Sequence, residues 1–356
     1  MLGLLGISKG TTESSTFWRH QPVSGGSSMV AWDKVGTIPP PISPPDLYKL
    51  FRTPLQPDTT LLEHITSFLQ DNYLEGYRLS VDYVERKLAI PESLSFMVLY
   101  DRLIVGFIYA QPMTIHVRSP QKVIPIYYVD LLCIAKEHRS KGLAKSLISH
   151  MSNFAPNGVR SFIHKKDTAP LPIPHFLHTR HFSIPVPKLR GDIAKFPEAR
   201  ADVAYRIFQQ SEAGASWYLE PSADVFRSSV SVKSFVCDRK ELPVPLLFSV
   251  SFHRVSRFGL SVRTAELYYT NWDTVFRRKQ GNPADNQPMM RRIFLELLNT
   301  CSLENASHFV FIGNPFTHYE MTERTIPCLP LYLHAYNLHI PSIPSDESSI
   351  FTIPAF

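Results

Sequence analysis

Hydrophobic and polar positions are patterned most clearly between residues 124 and 152, where a strand, a turn and a helix are predicted in succession. Nearly every residue of Ile124–Ile134 is apolar, and most are β-branched or aromatic, which is typical of a strand buried on both faces. The next stretch, Ala135–Gly142, is short and polar. Apolar residues then recur at helical spacing, at Leu143, Leu147, Ile148 and Met151. The helix is expected to begin at Gly142 or Leu143.

The predicted turn has the chemistry of an anion-binding site. A helix that begins there directs its first N–H groups and the positive end of its dipole at the turn. Arg139 and Lys141 add two full positive charges. A phosphate or pyrophosphate would suit this cradle, but an ordinary strand-to-helix junction with solvated basic residues has the same pattern. The spacing alone leaves both interpretations open.

The two halves of the chain repeat one order of elements. In the first half a helix that starts near Thr60 precedes a hairpin, the strand and the helix described above. A Pro-rich crossover, 159–188, leads into the second half. The elements predicted there are a helix at 199–210, strands at 234–237, 246–255 and 263–271, a helix at 290–300, and strands at 308–313 and 331–336. This order predicts an α/β fold, in the α+β sense, with a continuous mixed sheet and an internal duplication.

Composition narrows the possible partners and cofactors. The 37 basic and 31 acidic residues give a net charge of 37 − 31 = +6, yet the basic residues are scattered, so nucleic acid is not expected as a partner. No apolar run reaches the roughly 18 residues of a membrane span, and residues 1–15 form a flexible start without signal-peptide features. The four cysteines are far apart and are expected to be buried free thiols, as in a reducing, cytoplasmic setting. No metal and no permanently bound cofactor is expected.

Histidines offer two further candidates, each with a simpler interpretation. His116 could act as a base, but without a partner a structural histidine at a strand end is the better interpretation. His175, His178 and His181 have the spacing of metal ligands on a helix. The surrounding prolines disfavour that helix, so a metal site is not predicted there.

Two motifs resemble known acyltransferases. The stretch Arg139–Ala144 (RSKGLA) resembles the R-x-x-G-x-A turn with which the Gcn5-related acyltransferase superfamily grips the pyrophosphate of coenzyme A. The wider stretch Asp130–Ala144 resembles the N-myristoyltransferase family, which moves a fourteen-carbon acyl chain from coenzyme A to an N-terminal glycine. Phe17–Val23 (FWRHQPV) is similar to the F-W-x-x-Q-P-V segment that opens the catalytic core of that family.

The resemblance implies a duplicated Gcn5-related N-acyltransferase fold, with acyl-CoA bound by residues 16–188 and the acceptor peptide by residues 189–356. The acyl-donor substrate would be myristoyl-CoA, and the acceptors would be peptides or proteins that begin with glycine. The implied coenzyme A site consists of Thr16, Phe17, Trp18, Leu131, Leu132, Cys133, Ile134, Arg139, Ser140, Lys141, Gly142, Leu143 and Ala144.

It also implies catalytic and acceptor-binding residues. The backbone N–H groups of Leu131 and Leu132 would stabilise the tetrahedral oxyanion, and the C-terminal carboxylate of Phe356 would serve as the base. Asp130 stands where the family has Asn, and could steer the acceptor ammonium or share the proton with the C-terminal carboxylate. Implied contacts with the acceptor come from Tyr73, Tyr268 and Asn271. A monomer is expected.

Two departures from the family pattern keep other functions open. Gly76 replaces the Asp of an N-Y-V-E-D loop entry, and His164–Asp167 (HKKD) replaces Y-T-A-G, so that Lys165 stands in place of a Thr. The leading prediction is transfer of myristate to an N-terminal glycine. The alternatives are a catalytically degenerate homologue that binds acyl-CoA, lipid or a protein partner, and an amine N-acetyltransferase of the same superfamily.

Overall fold

The computed structural model describes ten ranges of the chain: 38–73, 77–117, 121–167, 175–187, 193–212, 217–221, 232–257, 260–279, 283–312 and 326–338. The predictions made for Thr16, Phe17, Trp18, Gly76 and Phe356 lie outside these ranges.

Strands and helices alternate along the described chain. The strands are β1 (Lys49–Arg52), β2 (Tyr77–Arg78), β3 (Leu94–Tyr100), β4 (Leu103–Val117), β5 (Lys122–Ile134), β6 (Phe162–Asp167), β7 (Leu177–Pro185), β8 (Glu198–Ala199), β9 (Trp217–Pro221), β10 (Val232–Cys237), β11 (Leu246–Arg257), β12 (Leu260–Thr270), β13 (His308–Ile312) and β14 (Ile326–Tyr336). The helices are α1 (Thr59–Asn72), α2 (Val81–Leu88), α3 (Leu143–Asn153), α4 (Ala201–Glu212), α5 (Trp272–Arg278) and α6 (Pro283–Leu303). None of these described helices is long and apolar enough to span a membrane.

The strands form one mixed sheet. Twelve of them lie in the order β1-β3-β4-β5-β6-β14-β7-β13-β12-β11-β10-β8, while β2 pairs with β11 and β9 pairs with β4. Two of the described pairs are parallel, β5 with β6 and β12 with β13. A helix, α3 or α6, connects the two strands of each parallel pair, as a parallel crossover requires. The predicted mixed sheet is confirmed.

The internal duplication is visible in the sheet order. In the first half, the antiparallel meander β3-β4-β5 is followed by α3 and the parallel strand β6. In the second half, β10-β11-β12 is followed by α6 and the parallel strand β13. Each meander can thus be matched to the other, strand for strand, which confirms the duplicated fold predicted from the order of elements.

The halves also exchange strands at the centre of the sheet. Strand β7 follows the first half in sequence but pairs with β13 of the second half. The last described strand, β14, returns to pair with β6 of the first half and also with β7. The centre of the sheet is therefore built from segments at opposite ends of the described chain.

Each half has its own apolar core. In the first, α1, α2 and α3 cover the β3-β4-β5 meander, with Ile65, Leu69 and Leu147 fully buried. In the second, Ile293 and Leu297 of α6 pack with Phe309 of β13. The apolar stripe predicted on α3 is buried in full, because Leu143, Leu147, Ile148 and Met151 all belong to the first core. Gly142 is the residue that precedes the first turn of α3, as predicted.

Candidate active site

Strand β5 carries a bulge at the two residues predicted to hold the oxyanion. Tyr109 of β4 faces Asp130 and Phe107 faces Cys133, so that the residue between them, Ile108, opposes both Leu131 and Leu132. Leu131 has a φ of 52°, in the left-handed region. A bulge of this kind interrupts the ladder of strand hydrogen bonds and redirects an amide away from it. The bulge therefore supplies the local geometry that an oxyanion site needs.

A buried carboxylate, that of Asp130, already accepts a hydrogen bond from one of these two amides. The N–H of Leu131 donates to Asp130 Oδ1 at 2.8 Å, and the Tyr73 hydroxyl donates to the same oxygen at 2.7 Å. Asp130 is only 4% exposed. The Leu131 amide thus binds a negatively charged oxygen, which is the type of group that a tetrahedral oxyanion would present. Tyr73, predicted to contact the acceptor, holds this carboxylate.

The other oxygen of Asp130 faces a buried lysine. Lys87 Nζ lies 3.4 Å from Asp130 Oδ2 and 3.4 Å from Gln111 Oε1. The ammonium also lies over two aromatic rings, 5.7 Å from the centroid of Tyr83 and 5.4 Å from that of Tyr109. Burial lowers the pKa of Lys87, and the neighbouring Asp130 charge opposes that shift.

Helix α2 places Lys87 in this position. Ser80 caps the helix, and its hydroxyl oxygen accepts a hydrogen bond from the N–H of Tyr83 at 3.2 Å. The buried residues of α2 are Val84, Lys87 and Leu88, which share one face of the helix. The sequence prediction missed Lys87. The available signal was a lysine at helical spacing with two apolar residues, after a serine suited to capping.

The predicted anion cradle follows the bulge directly. Strand β5 ends at Ile134, a single 3-10 turn spans Lys136–His138, and α3 begins at Leu143. Ser140 and Gly142 adopt left-handed φ angles of 62° and 76°. Arg139, Ser140, Lys141 and Gly142 are all exposed. The cradle thus presents accessible cations and a helix N-terminus at the end of the same strand that carries the bulge.

Interactions behind the turn fix its shape. Arg139 Nε donates to the carbonyl oxygen of Ile134 at 3.2 Å. The Tyr48 hydroxyl and His138 Nδ1 are hydrogen-bonded at 3.1 Å, and Lys141 Nζ lies 5.9 Å from the centroid of the Tyr48 ring. Leu143 is buried and Ala144 packs against the first core. The basic side chains are therefore held at the turn rather than spread over the surface.

Cys133 lies inside the core beneath this turn. Cys133 is 7% exposed, and burial raises the pKa of its thiol well above the usual value. A thiol in this environment stays protonated and is a poor nucleophile. Cys133, Cys237 and Cys301 are all buried and unpaired, as the sequence predicted.

Charged groups from both halves influence the same region. Lys165 of β6 slightly lowers the pKa of Lys87, and Glu266 of β12 slightly raises it. His253 Nε2 lies 3.6 Å from Glu266 Oε2, and burial, with a smaller effect of Lys165, lowers the pKa of His253 to about 4. The charge of Lys165, a residue that departs from the family pattern, therefore influences the pKa values of both Lys87 and His253.

Tyr268 and Asn271, the two acceptor contacts predicted in the second half, are both buried. Asn271 Oδ1 accepts from the N–H of Leu247 at 2.7 Å, while its Nδ2 donates to Ser211 Oγ at 2.7 Å and to the Pro245 carbonyl at 3.0 Å. These bonds tie β11 and β12 to α4. Binding of an acceptor by Asn271 stays a prediction, and this network gives the side chain a structural role.

Neither histidine candidate forms part of the site. His116 Nε2 is hydrogen-bonded to Glu220, and its ring stacks on Tyr218 with 4.6 Å between centroids. His116 is thus a structural histidine with a partner. Within the described ranges no three His, Cys, Asp or Glu residues are arranged to hold a metal ion.

Comparison with known proteins shows what the chain is similar to. Residues 40–155, which include both the bulge and the cradle, match the family model "Myristoyl-CoA:protein N-myristoyltransferase, N-terminal domain". A search of curated proteins finds no match. Among solved structures, N-myristoyltransferase of Saccharomyces cerevisiae with bound myristoyl-CoA superposes with a TM-score of 0.74 at 16% identity, over 92% of this chain and 93% of that one.

A second structure of the yeast enzyme, with bound myristoyl-CoA and inhibitors, gives a TM-score of 0.73 at 16% identity, over 92% of this chain and 91% of that one. The chain therefore has the N-myristoyltransferase fold over nearly its whole length. Together with the family match in the first half, this confirms the resemblance seen in the sequence.

Proposed function

We propose that the chain transfers a myristoyl group from myristoyl-CoA to the N-terminal glycine of peptides or proteins. The observation that carries the proposal is the match of residues 40–155 to the N-myristoyltransferase family, because that range holds both the bulge and the cradle. The yeast protein with the same fold binds myristoyl-CoA. In this chain, residues 16–188 would hold the acyl-CoA and residues 189–356 the acceptor.

The described residues support two separate roles along β5 and the turn that follows it: stabilisation of the oxyanion and binding of the pyrophosphate. Arg139, Lys141 and the N-terminus of α3 would bind the pyrophosphate of coenzyme A. The amides of Leu131 and Leu132 would stabilise the oxyanion, and one such donor contributes about 3 kcal/mol in comparable sites. An apolar acyl chain gains about 0.8 kcal/mol for each buried methylene, which favours long chains over acetate.

The test is an acyl-transfer assay with myristoyl-CoA and an octapeptide that begins with Gly and has Ser at position five. We expect release of the coenzyme A thiol and an acylated peptide detected by mass spectrometry. Acetyl-CoA in the same assay is the control for an amine acetyltransferase, and an octapeptide that begins with Ala is the control for the acceptor. Transfer of acetate in preference to myristate would contradict the proposal.

A second candidate function is binding of acyl-CoA without transfer. The observation that favours it is the hydrogen bond from Leu131 N–H to Asp130, because a carboxylate on this amide competes with a thioester oxygen. Calorimetry separates the two candidates: tight binding of myristoyl-CoA with no acylated peptide would support the second. In that case removal of the last one or two residues, including Phe356, would change nothing, whereas it should abolish transfer if the first holds.

The remaining predictions concern surroundings and assembly. Protein N-termini that begin with glycine are the proposed partners, and myristoyl-CoA is a substrate rather than a resident cofactor. A cytoplasmic location and a monomeric state stay predictions from the sequence. Size-exclusion chromatography with light scattering tests the monomer directly.

A further inference from the structure

Gln111 of β4 carries a buried donor for which the described residues supply no partner. The side chain is 1% exposed, and its Nε2 group makes no hydrogen bond within the described part of the chain. Buried polar groups are nearly always paired, because an unpaired donor loses its bonds to water without replacement. An orphaned donor at this position therefore indicates a group that binds there when a ligand is present.

Lys87 fixes the orientation of the Gln111 amide. An ammonium has donors only, so the amide oxygen faces Lys87 Nζ, at 3.4 Å, and the NH2 group points away from it. Exchange of the two ends of the amide would set donor against donor. Lys87 is itself held in place, since the Tyr109 hydroxyl donates to its carbonyl oxygen at 2.8 Å and its ammonium lies 3.4 Å from Asp130 Oδ2. The unpaired NH2 group thus has a defined direction.

The register of β4 and β5 places Gln111 near the bulge. Tyr109 lies opposite Asp130, and Gln111 follows Tyr109 by two residues, so that both side chains share one face of β4. Gln111 Oε1 and Asp130 Oδ2 both contact the Lys87 ammonium. The other oxygen of Asp130 accepts from the amide of Leu131. One ammonium and one carboxylate therefore connect the Gln111 amide to the proposed oxyanion site.

The proposed reaction brings few hydrogen-bond acceptors to this place. The thioester oxygen is assigned to the amides of Leu131 and Leu132, and the acyl chain has no polar atom beyond it. The acceptor peptide has a carbonyl oxygen on its first residue, which follows the attacking nitrogen after a single Cα. Tyr73 and Leu132 are only partly buried, so solvent reaches the edge of this cluster. The first carbonyl of the acceptor is therefore the group that suits the unpaired donor.

Two of the side chains that the resemblance implies as acceptor contacts have their donors in use. The Tyr73 hydroxyl donates to Asp130 Oδ1, and the Asn271 amide donates twice within the second half. Either would have to break a bond before it could donate to an acceptor. Gln111 can donate without breaking one.

We propose that Gln111 Nε2 donates a hydrogen bond to the carbonyl oxygen of the first residue of the acceptor. This inference rests on the proposed function and adds an acceptor-binding residue to it. Lys87 stays a charged ammonium in this arrangement, where it holds the Gln111 amide by its oxygen and compensates the charge of Asp130. Because the contact is to the backbone, it serves every acceptor and contributes affinity rather than a choice among side chains.

The test combines a change in the full-length protein with a change in the acceptor. Gln111→Met has a side chain of similar length without a donor. In a second Gly-initiated octapeptide, a trans carbon–carbon double bond replaces the first peptide bond, so that the first carbonyl oxygen is missing. With the ordinary octapeptide, Gln111→Met should raise KM about tenfold, the upper range for one neutral hydrogen bond. Its kcat and its calorimetric affinity for myristoyl-CoA should stay within about threefold of wild type.

The two changes should not be additive. With wild type, the alkene peptide should raise KM by a similar factor, whereas with Gln111→Met it should change KM by no more than about twofold, because the contact is already lost. Gln111→Leu is a second apolar replacement and should behave in the same way. Thr114→Val, on the opposite face of the same strand, is the matched control and should keep the wild-type KM.

Three results would contradict the contact. They are an unchanged KM in the Gln111 variants, an unchanged KM of wild type for the alkene peptide, and separate penalties that multiply when the two changes are combined. Each would overturn the inference and leave the proposed function standing, because the wild-type chain would still acylate the ordinary octapeptide. A wild-type chain that acylates no peptide would overturn the proposed function, and this inference with it.

Discussion

Asp130 carries a buried negative charge, which a few hydrogen-bond donors stabilise. The Tyr73 hydroxyl is one of them, and it links the end of α1 to the bulge in β5. Burial and the Asp130 charge both raise the pKa of Tyr73, so this hydroxyl donates throughout the usual pH range. Hydrogen bonds to charged groups are the stronger ones in proteins, with net contributions of about 1.5–3 kcal/mol.

We therefore expect Tyr73→Phe to lower the free energy of unfolding by about 2 kcal/mol, because one donor to a buried carboxylate is lost. Urea denaturation followed by circular dichroism measures this change. Tyr100→Phe is the matched control, since Tyr100 is 37% exposed and should tolerate the change within about 0.5 kcal/mol. Equal losses for the two variants would contradict the importance of the Tyr73–Asp130 bond.

Glu212 gives a second residue-scale prediction, which concerns pH. Burial raises the pKa of this carboxyl from 4.5 to about 7, although the Tyr269 hydroxyl, which donates at 2.7 Å, favours the charged form. The folded chain thus holds this proton more tightly than the unfolded chain does. Its contribution to stability is present below pH 4.5 and is lost as the pH rises towards 7.

Glu212→Gln removes this titration. Relative to wild type, the variant should gain up to about 3 kcal/mol in free energy of unfolding between pH 5 and pH 8, since one pKa unit corresponds to about 1.4 kcal/mol. Urea denaturation at the two pH values measures the difference. Glu241→Gln, at an exposed position, should show almost no such change. A pH-independent offset for Glu212→Gln would count against the raised pKa.

At the scale of elements, the sequence pattern predicted those strands and helices whose apolar spacing reflects their own burial. Strand β5 and helix α3 were found within two residues of their predicted bounds, because continuous apolar runs and helical spacing report directly on burial. Helix α6 extends further than predicted, from Pro283 to Leu303, because its first turns lack a full apolar stripe. Proline at the first helical position is a common start signal that the pattern of apolar residues does not capture.

The bulge and the lysine could not be derived from local patterns. The bulge at Leu131 depends on the register between β4 and β5, and alternation along one strand does not contain that register. Lys87 is buried beside Asp130, a partner that lies 43 positions away in sequence. A charged residue is ordinarily assigned to the surface, so only the fold brings this pair together.

Gly142 provides the element-scale prediction. Its φ of 76° disfavours any side chain, and a Cβ atom there would meet nothing within 4 Å. Gly158 is its matched control, because it has a φ of 70°, is equally open, and lies outside the cradle. Alanine should cost about 1 kcal/mol of stability at each position. Only Gly142→Ala should weaken calorimetric binding of coenzyme A, by about tenfold, since its methyl group would enter the proposed anion site. Equal affinity of the two variants for coenzyme A would mean that its pyrophosphate does not bind at this turn.

At the scale of the whole molecule, the exchange of β7 and β14 determines whether the duplicated halves unfold together or separately. Two halves with separate cores would ordinarily be expected to unfold independently. Here β14 pairs with β6 and β7, and β7 pairs with β13, so the strands at the centre belong to both halves. Loss of either core would leave one of these strands without a partner, and unpaired backbone groups at the centre of a sheet are costly.

We therefore expect one cooperative unfolding transition rather than two. The fully buried Trp272 reports on the second core, and Tyr127→Trp would place a reporter beside Phe162 in the first, where the two rings now lie 6.1 Å apart. Phe replaces Trp18, Trp32 and Trp217 in both proteins, and Trp272 as well in the Tyr127→Trp variant, so that each protein has one tryptophan. The fluorescence of the two sites should give coincident urea midpoints that also match circular dichroism. Midpoints separated by more than the fitting error would mean that the exchanged strands do not couple the cores. Cleavage between residues 187 and 193 would then leave two folded fragments, whereas the interlocked sheet requires both pieces to refold together.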